Sequence, residues 1–213
     1  MSENNLSLRE RKKAETRSTI LKEARALFAA RGFDGATLDD ICVAAAVSRR
    51  TFFRYFPSKE ALVFPNRELR LQAFADFIRV RPEGEDMFTT LRKGTVLFAA
   101  GYEDNREQLL EVQALIASSP TLQTSERDID REWEEVIRAA FVTEFGDTEE
   151  GDRRSRILAG ATIGVIRATM RYWYEREGRD NLAELGLDAL DALQRGFPLP
   201  SVADEDDAKA AAS

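Results

Sequence analysis

Residues 48–56, Ser-Arg-Arg-Thr-Phe-Phe-Arg-Tyr-Phe, concentrate the groups in this chain best suited to recognition chemistry. Arg49, Arg50 and Arg54 carry planar guanidinium forks, which match the O6/N7 edge of guanine or a phosphate. Ser48 reads as a helix N-cap, so it offers a phosphate both a hydroxyl and a helix N-terminus. Pro57 sets the end of that helix. Phe52 and Phe56 fall at i, i+4 and, with Val47 just before them, define an inward face. Arg49, Arg50, Phe53 and Arg54 then point outward. An outward phenylalanine is costly in water and fits a face that docks, for example on a thymine methyl or a sugar edge. A solvated helix face is the alternative reading of Arg49 and Arg50.

Such a helix needs neighbours that fix its angle to a duplex. A first helix over residues 14–31 carries one apolar stripe, Ile20, Leu21, Ala24, Leu27 and Phe28, and Gly32 stops it. Phe33 packs back and Asp34-Gly35 turns. Thr37 caps a second helix, with Asp39 and Asp40 in the first turn where the macrodipole favours carboxylates. That helix is expected to bury Leu38, Ile41, Ala44 and Ala45. After the recognition helix, Ser58 caps a fourth helix that runs to about Val80. Ahead of everything, Arg9 to Lys13 form a basic lead, either a solvated helix end or a phosphate-contacting arm. Residues 1–8 read as disordered.

Composition removes most competing functions. The chain of 213 residues has no histidine and one cysteine, Cys42, so a zinc site or a His-dependent catalytic triad has no ligands or base to use. Cys42 reads as a small buried side chain. The net charge is −7, but its distribution is uneven. Residues 1–56 hold 11 Lys/Arg against 7 Asp/Glu, and the remainder 20 against 31. A basic N-terminal piece on an acidic body focuses positive field where DNA would dock. No apolar run reaches the roughly 18 residues of a membrane span, and an apolar signal core is lacking, which places the protein in the cytoplasm with no membrane partner.

Beyond a break at Arg81–Glu85 the pattern is helical throughout, over about 85–102, 104–118, 125–145, 152–177 and 180–195. The acidic tail 198–213 reads as disordered. In the helix over 152–177, Leu158, Ala161, Val165, Ala168 and Tyr172 share a stripe with Ile157, and Gly160 and Gly164 would admit a close helix. With Leu185, Ala189 and Leu193 of the last helix they are candidates for a dimer interface, or for ordinary intrachain core. Phe88, Phe98, Tyr102, Trp133, Phe141, Met170, Trp173 and Tyr174 are candidate linings of a ligand cavity, each with core packing as the alternative. Arg92, Arg138, Arg167 and Arg171 could face an anionic ligand or pair with carboxylates.

The string from Ala14 through Lys59 resembles the N-terminal domain of the TetR family of bacterial transcriptional regulators. Gly32-Phe33, Thr37, Ile41, Val47-Ser48, Thr51-Phe52, Tyr55-Phe56 and Ser58-Lys59 carry the resemblance. It implies an all-α fold: a helix-turn-helix three-helix domain followed by a larger helical ligand-binding and dimerisation domain. It also implies a homodimer that represses from a palindromic operator in double-stranded DNA until a small-molecule effector binds. Thr51, Tyr55 and Lys59 match the family's phosphate contacts, with packing beside Phe56 the alternative for Tyr55. The SRRTFFRYF string, together with the Arg-rich, Gly-spaced penultimate helix over 152–177, is further similar to the mycofactocin-associated subgroup, which implies an acyl-CoA-like or hydrophobic effector. The expected segments are 9–57 for DNA binding, 58–82 for a connecting helix and linker, 83–197 for effector and dimer contacts, and 198–213 for the tail. No cofactor and no metal are implied. Two positions depart from the family: Ala46 replaces a common glycine in the turn, and Phe53 replaces a common tyrosine. A left-handed Ala46 would cost on the order of 1 kcal/mol. A non-specific DNA-binding or protein-interaction module, an activator, and an enzyme are the other readings.

Overall fold

The computed structural model describes residues 7–196. Among these the chain forms nine α-helices and no strand: α1 Leu8–Gly35, α2 Leu38–Ala44, α3 Arg49–Tyr55, α4 Arg67–Arg79, α5 Met87–Asp104, α6 Arg106–Ala117, α7 Pro120–Phe145, α8 Glu149–Glu175 and α9 Leu182–Arg195. The all-α class and the helix-turn-helix at the N-terminal end are therefore as expected. The tail 198–213 and residues 1–6 lie outside the described residues. Ser7 and Leu8, grouped by the sequence with the disordered lead, instead begin α1. Ser7 accepts from the Glu10 amide and Glu10 accepts from the Ser7 amide, a capping box that satisfies two orphan donors. The basic lead Arg9–Lys13 is thus helical. Gly32 interrupts α1 with φ 70° and ψ 169°, a conformation only glycine adopts readily, and turns the chain so that Phe33 is buried.

The chain divides into two compact units, Met1–Val80 with Asp104–Ile137, and Arg81–Glu103 with Arg138–Ser213. In the first, Ile20, Phe28, Phe33, Ile41, Phe52 and Phe56 make the core of α1–α3, and each is 5% exposed or less. Ile116 of α6 and Leu122 of α7 are buried in the same cluster. Burying side chains of this size stabilises by about 1.5–3 kcal/mol each. In α2, Cys42 rather than Ala44 takes the inward place, while Ala44 is exposed. The reason is helical phase: Cys42 adjoins Ile41 on the core side, and Ala44 falls beyond it.

The fourth helix is not the continuous element expected from Ser58 to Val80. A single 3-10 turn spans Glu60–Leu62, the chain breaks, and α4 starts after Asn66 at φ 65°. Pro65 explains the break, because it has no amide to donate and its ring crowds the preceding turn. Arg17 of α1 donates to Asn66 Oδ1 at 2.8 Å, and Arg67 pairs with Glu132 of α7. The opposite correction applies to Pro120. It falls in the gap expected between the helices over 104–118 and 125–145, but it is the first residue of α7, with the Ser119 hydroxyl accepting from the Leu122 amide. Proline suits that place because its φ is already helical and its missing N–H would be unpaired there anyway.

In the second unit α8 packs along α9. Ser155, Ala159, Thr162, Ile163 and Trp173 form the buried face of α8. Trp173 Nε1 donates to the Asp180 carbonyl at 2.9 Å, which satisfies its polar handle. A Cβ added to Gly186 of α9 would lie 2.5 Å from Thr95 Cγ2 of α5, so glycine permits that approach.

Candidate DNA-binding interface

Two N-caps set the motif. The Thr37 hydroxyl accepts from the Asp40 amide at 3.1 Å, and Asp40 accepts from the Thr37 amide at 3.0 Å, so α2 begins with a full capping box. Ser48 Oγ accepts from the Thr51 amide at 3.1 Å and shares a 3.0 Å hydrogen bond with the Thr51 hydroxyl. Between the two helices the Val47 amide donates to the Cys42 carbonyl at 2.9 Å, and Ala46 has φ 52°. The turn is therefore left-handed, and Ala46 bears the cost that a glycine would avoid.

This turn places α3 with Phe52 fully buried and Phe53 52% exposed, as the i, i+4 pattern predicts. Arg49, Arg50 and Arg54 are exposed on the outward side. Arg54 lies over the Tyr55 ring, 5.1 Å from its centroid. Hydrogen bonding from Arg54, then from Thr16, and the charge of Lys13 hold the Tyr55 phenol below its ordinary value. Tyr55 is half-buried, so the N-terminal turns of α1 and the end of α3 meet around one hydroxyl. Thr16 and Lys13 are thus neighbours of the reading helix, which only the packing of α1 on α3 reveals.

Two side chains sit differently from their sequence reading. Arg49 donates from Nε to Asp39 Oδ1 at 2.6 Å and from Nη2 to Asp39 Oδ2 at 2.7 Å. The pair holds the Asp39 carboxyl below its usual range. Sequence reasoning gave Asp39 only a place in the first turn of α2. Lys59 is directed to the chain's own backbone rather than outward: Nζ donates to the carbonyls of Phe33 at 2.8 Å and Ala36 at 2.9 Å. Its ammonium also lies 4.1 Å from the Phe33 ring centroid. It satisfies carbonyls left without intrahelical donors where α1 ends at Gly35, which uses two of its three N–H groups. Cys42 is buried, and desolvation pushes its thiol up, as befits packing rather than reactivity.

The candidate effector residues occur in both units. Trp133 lies tilted against Phe74 in the first unit, with centroids 4.8 Å apart. Phe88 and Phe141 meet at 5.9 Å in the second, where Phe141 is buried. Trp173 lies in another cluster of the second unit, with Tyr102, Met170 and Tyr174 packed against it. Phe98 is half-buried on α5. Arg92 pairs with Asp191 at 2.7 Å and Arg138 with Asp152 at 2.9 Å. Arg167 and Arg171 are exposed.

Of the candidate dimer residues, Ala168 and Tyr172 are exposed, while Leu158, Ala161 and Val165 are half-buried. Ile157 is 58% and Tyr172 48% exposed, and the Cβ position of Gly164 is open. Apolar groups therefore line the face of α8 away from Trp173. On α9, Leu185 packs in the Trp173 cluster, and Ala189 and Leu193 are half-buried.

Two capped helices joined by a tight turn, with a basic outer face on the second, define a helix-turn-helix DNA-binding protein. The chain belongs to the TetR family of bacterial transcriptional regulators. The model for bacterial regulatory proteins of the tetR family matches residues 20–64, and that for the MftR C-terminal domain matches residues 85–198. The protein from Mycobacterium tuberculosis named as mycofactocin biosynthesis transcriptional regulator MftR is 30% identical over 190 residues, covering 88% of this chain and 93% of that one. The HTH-type transcriptional regulator TcmR of Streptomyces glaucescens is 28% identical over 183 residues, covering 83% and 81%. Among solved structures, Thermus thermophilus FadR in complex with lauroyl-CoA shares the fold with a TM-score of 0.54 at 24% identity, covering 87% of this chain and 97% of that one. Bacillus subtilis FadR in complex with stearoyl-CoA has a TM-score of 0.53 at 15% identity, covering 85% and 99%. No helix among the described residues is long and apolar enough to cross a membrane.

Proposed function

We propose that this regulator is a repressor that binds a palindromic operator as a homodimer and leaves it when an acyl-CoA-like or other hydrophobic effector occupies the C-terminal domain. The carrying observation is the outward face of α3, where Arg49, Arg50, Phe53 and Arg54 stand clear of a core closed by Phe52 and Phe56. Arg49 and Arg50 read base edges near the start of α3, while Thr37, Ser48, Thr51, Arg54 and Tyr55 hold the backbone. Lys59 acts mainly by holding the Phe33–Ala36 turn. One such helix reads only a few base pairs, so two copies on a two-fold site are needed for specificity. The exposed apolar stripe of α8, Ile157 to Tyr172, supports pairing of two chains through α8 and α9.

Effector binding shifts a two-state equilibrium toward a form whose recognition helices no longer match successive grooves. The acyl-CoA complexes of the two FadR proteins and the match to the MftR C-terminal domain support the effector class. The protein acts in the cytoplasm, by binding and not by catalysis.

The test is selection of a duplex from a randomised library by the full chain, followed by binding measurements with lauroyl-CoA, coenzyme A and laurate. We expect a palindrome, two chains per duplex, and release by lauroyl-CoA. Absence of a selected sequence would overturn the DNA reading. Undiminished binding at saturating lauroyl-CoA and laurate would overturn the effector class.

A further inference from the structure

We propose that Asp39 of α2 is a specificity-determining positioning residue for Arg49, orienting its guanidinium for a guanine edge and setting a penalty on every other duplex. This rests on the DNA-reading role of α3 given above.

The two residues are 10 apart and joined across the turn by two hydrogen bonds, 2.6 Å and 2.7 Å. Their side chains remain 61% and 64% exposed. A pair so exposed contributes little to stability, so folding does not account for it. Its geometry does point to a use. A guanidinium has five N–H groups. Asp39 takes the side edge, one from Nε and one from Nη2. The end fork, made of Nη1 and the second Nη2 hydrogen, is left available, and that fork can meet guanine O6 and N7 together. Asp39 therefore removes rotational freedom from Arg49 before DNA arrives, without consuming the donors that read the base.

The carboxylate also has an effect of its own sign. Asp39 is an acceptor without a donor, on a face that approaches phosphates. Where Arg49 meets guanine, its charge is shared between two acceptors. Where Arg49 meets no acceptor base, the carboxylate remains close to the duplex and repels it. Both effects raise the ratio of specific to non-specific affinity.

The experiment uses the full chain and a randomised 30-base-pair library. Wild type, Asp39→Asn, Asp39→Ser and Arg49→Lys are each put through selection. Each is then titrated, at one salt concentration, against the wild-type consensus duplex, its single base-pair variants and a scrambled duplex. Asp39→Asn keeps the shape and a helix-compatible side chain, and Asp39→Ser serves if the first variant melts early. We expect Asp39→Asn and Arg49→Lys to lose preference at the same base pair, by roughly 5- to 150-fold, and to keep it elsewhere. Binding of Asp39→Asn to the scrambled duplex should be equal or tighter. A merely structural role would weaken all duplexes together. Base preference in Asp39→Asn equal to wild type, or consensus binding that tightens with preference unchanged, overturns the proposal while leaving the DNA reading intact. A wild-type chain that selects no sequence overturns both.

Discussion

Lys59 and Phe33 stand 26 residues apart, yet the Lys59 ammonium donates to the Phe33 carbonyl at 2.8 Å and lies 4.1 Å from its ring centroid. The residue that follows the motif thus closes the turn that precedes it. Lys59→Met should lower the stability of the full chain by about 1–3 kcal/mol, the value of a charge-assisted hydrogen bond to half-buried carbonyls. Denaturant midpoints at constant slope are the measurement. Its salt dependence on DNA should change less than that of Arg50→Ala, since the Lys59 charge is already engaged.

Ala46 at φ 52° makes the opposite prediction. It is exposed, so nothing packed is lost when its methyl is removed. Ala46→Gly should stabilise the chain by about 0.5–1 kcal/mol, the left-handed cost relieved less the added freedom of the unfolded chain. Thermal melting would show a rise, and a fall would mean that the turn is not left-handed.

Phe53 separates stability from binding. At 52% exposure, with its ring edge-on to Phe52 at 5.4 Å, it contributes little to the core. Phe53→Ala should change unfolding free energy by less than about 1 kcal/mol, and should weaken binding to the selected duplex. Equal affinity of the two proteins would remove Phe53 from the interface.

Asp40 gives a pH signature. Its hydrogen bond from Thr37 holds its folded value below the ordinary 3.8. The sign follows: stability from the ionised carboxylate is fully present above the unfolded value, and is lost as pH falls through the lowered folded one. The difference in urea midpoint between wild type and Asp40→Asn should be level at neutral pH and shrink below about pH 4. A difference that stays level to about pH 2 would contradict the capping box.

Ile157 tests assembly. Ile157→Glu puts a charge on the exposed stripe of α8 away from Trp173 and should leave the chain folded. Light scattering should show a shift toward monomer, and affinity for the palindrome should fall far more than affinity for a single half-site. An unchanged mass would exclude this stripe as the seam.

The caps were legible in the sequence because they are local: Thr37 with Asp40, and Ser48 with Thr51, each act within three residues. The inward set Phe52 and Phe56 followed from helical period alone. The α4 break was within reach, since Phe64-Pro65-Asn66 carries its own signal, and Pro120 could have been read as a helix start. The partners of Arg49 and Lys59 were not. Their identities depend on how α2 meets α3 across a left-handed turn, and on carbonyls left free at the end of α1 more than twenty residues earlier. Nor does periodicity tell which apolar stripe of a helix meets its own chain: α8 has two, and only packing assigns Trp173 to one and Tyr172 to the other.

The Ser7–Glu10 box has a calorimetric consequence. The basic turn Arg9–Lys13 belongs to a helix already closed at its first residue, so DNA binding orders no new backbone there. The heat-capacity change of association should therefore match burial of preformed surfaces, without the larger negative increment that accompanies coupled folding of an arm.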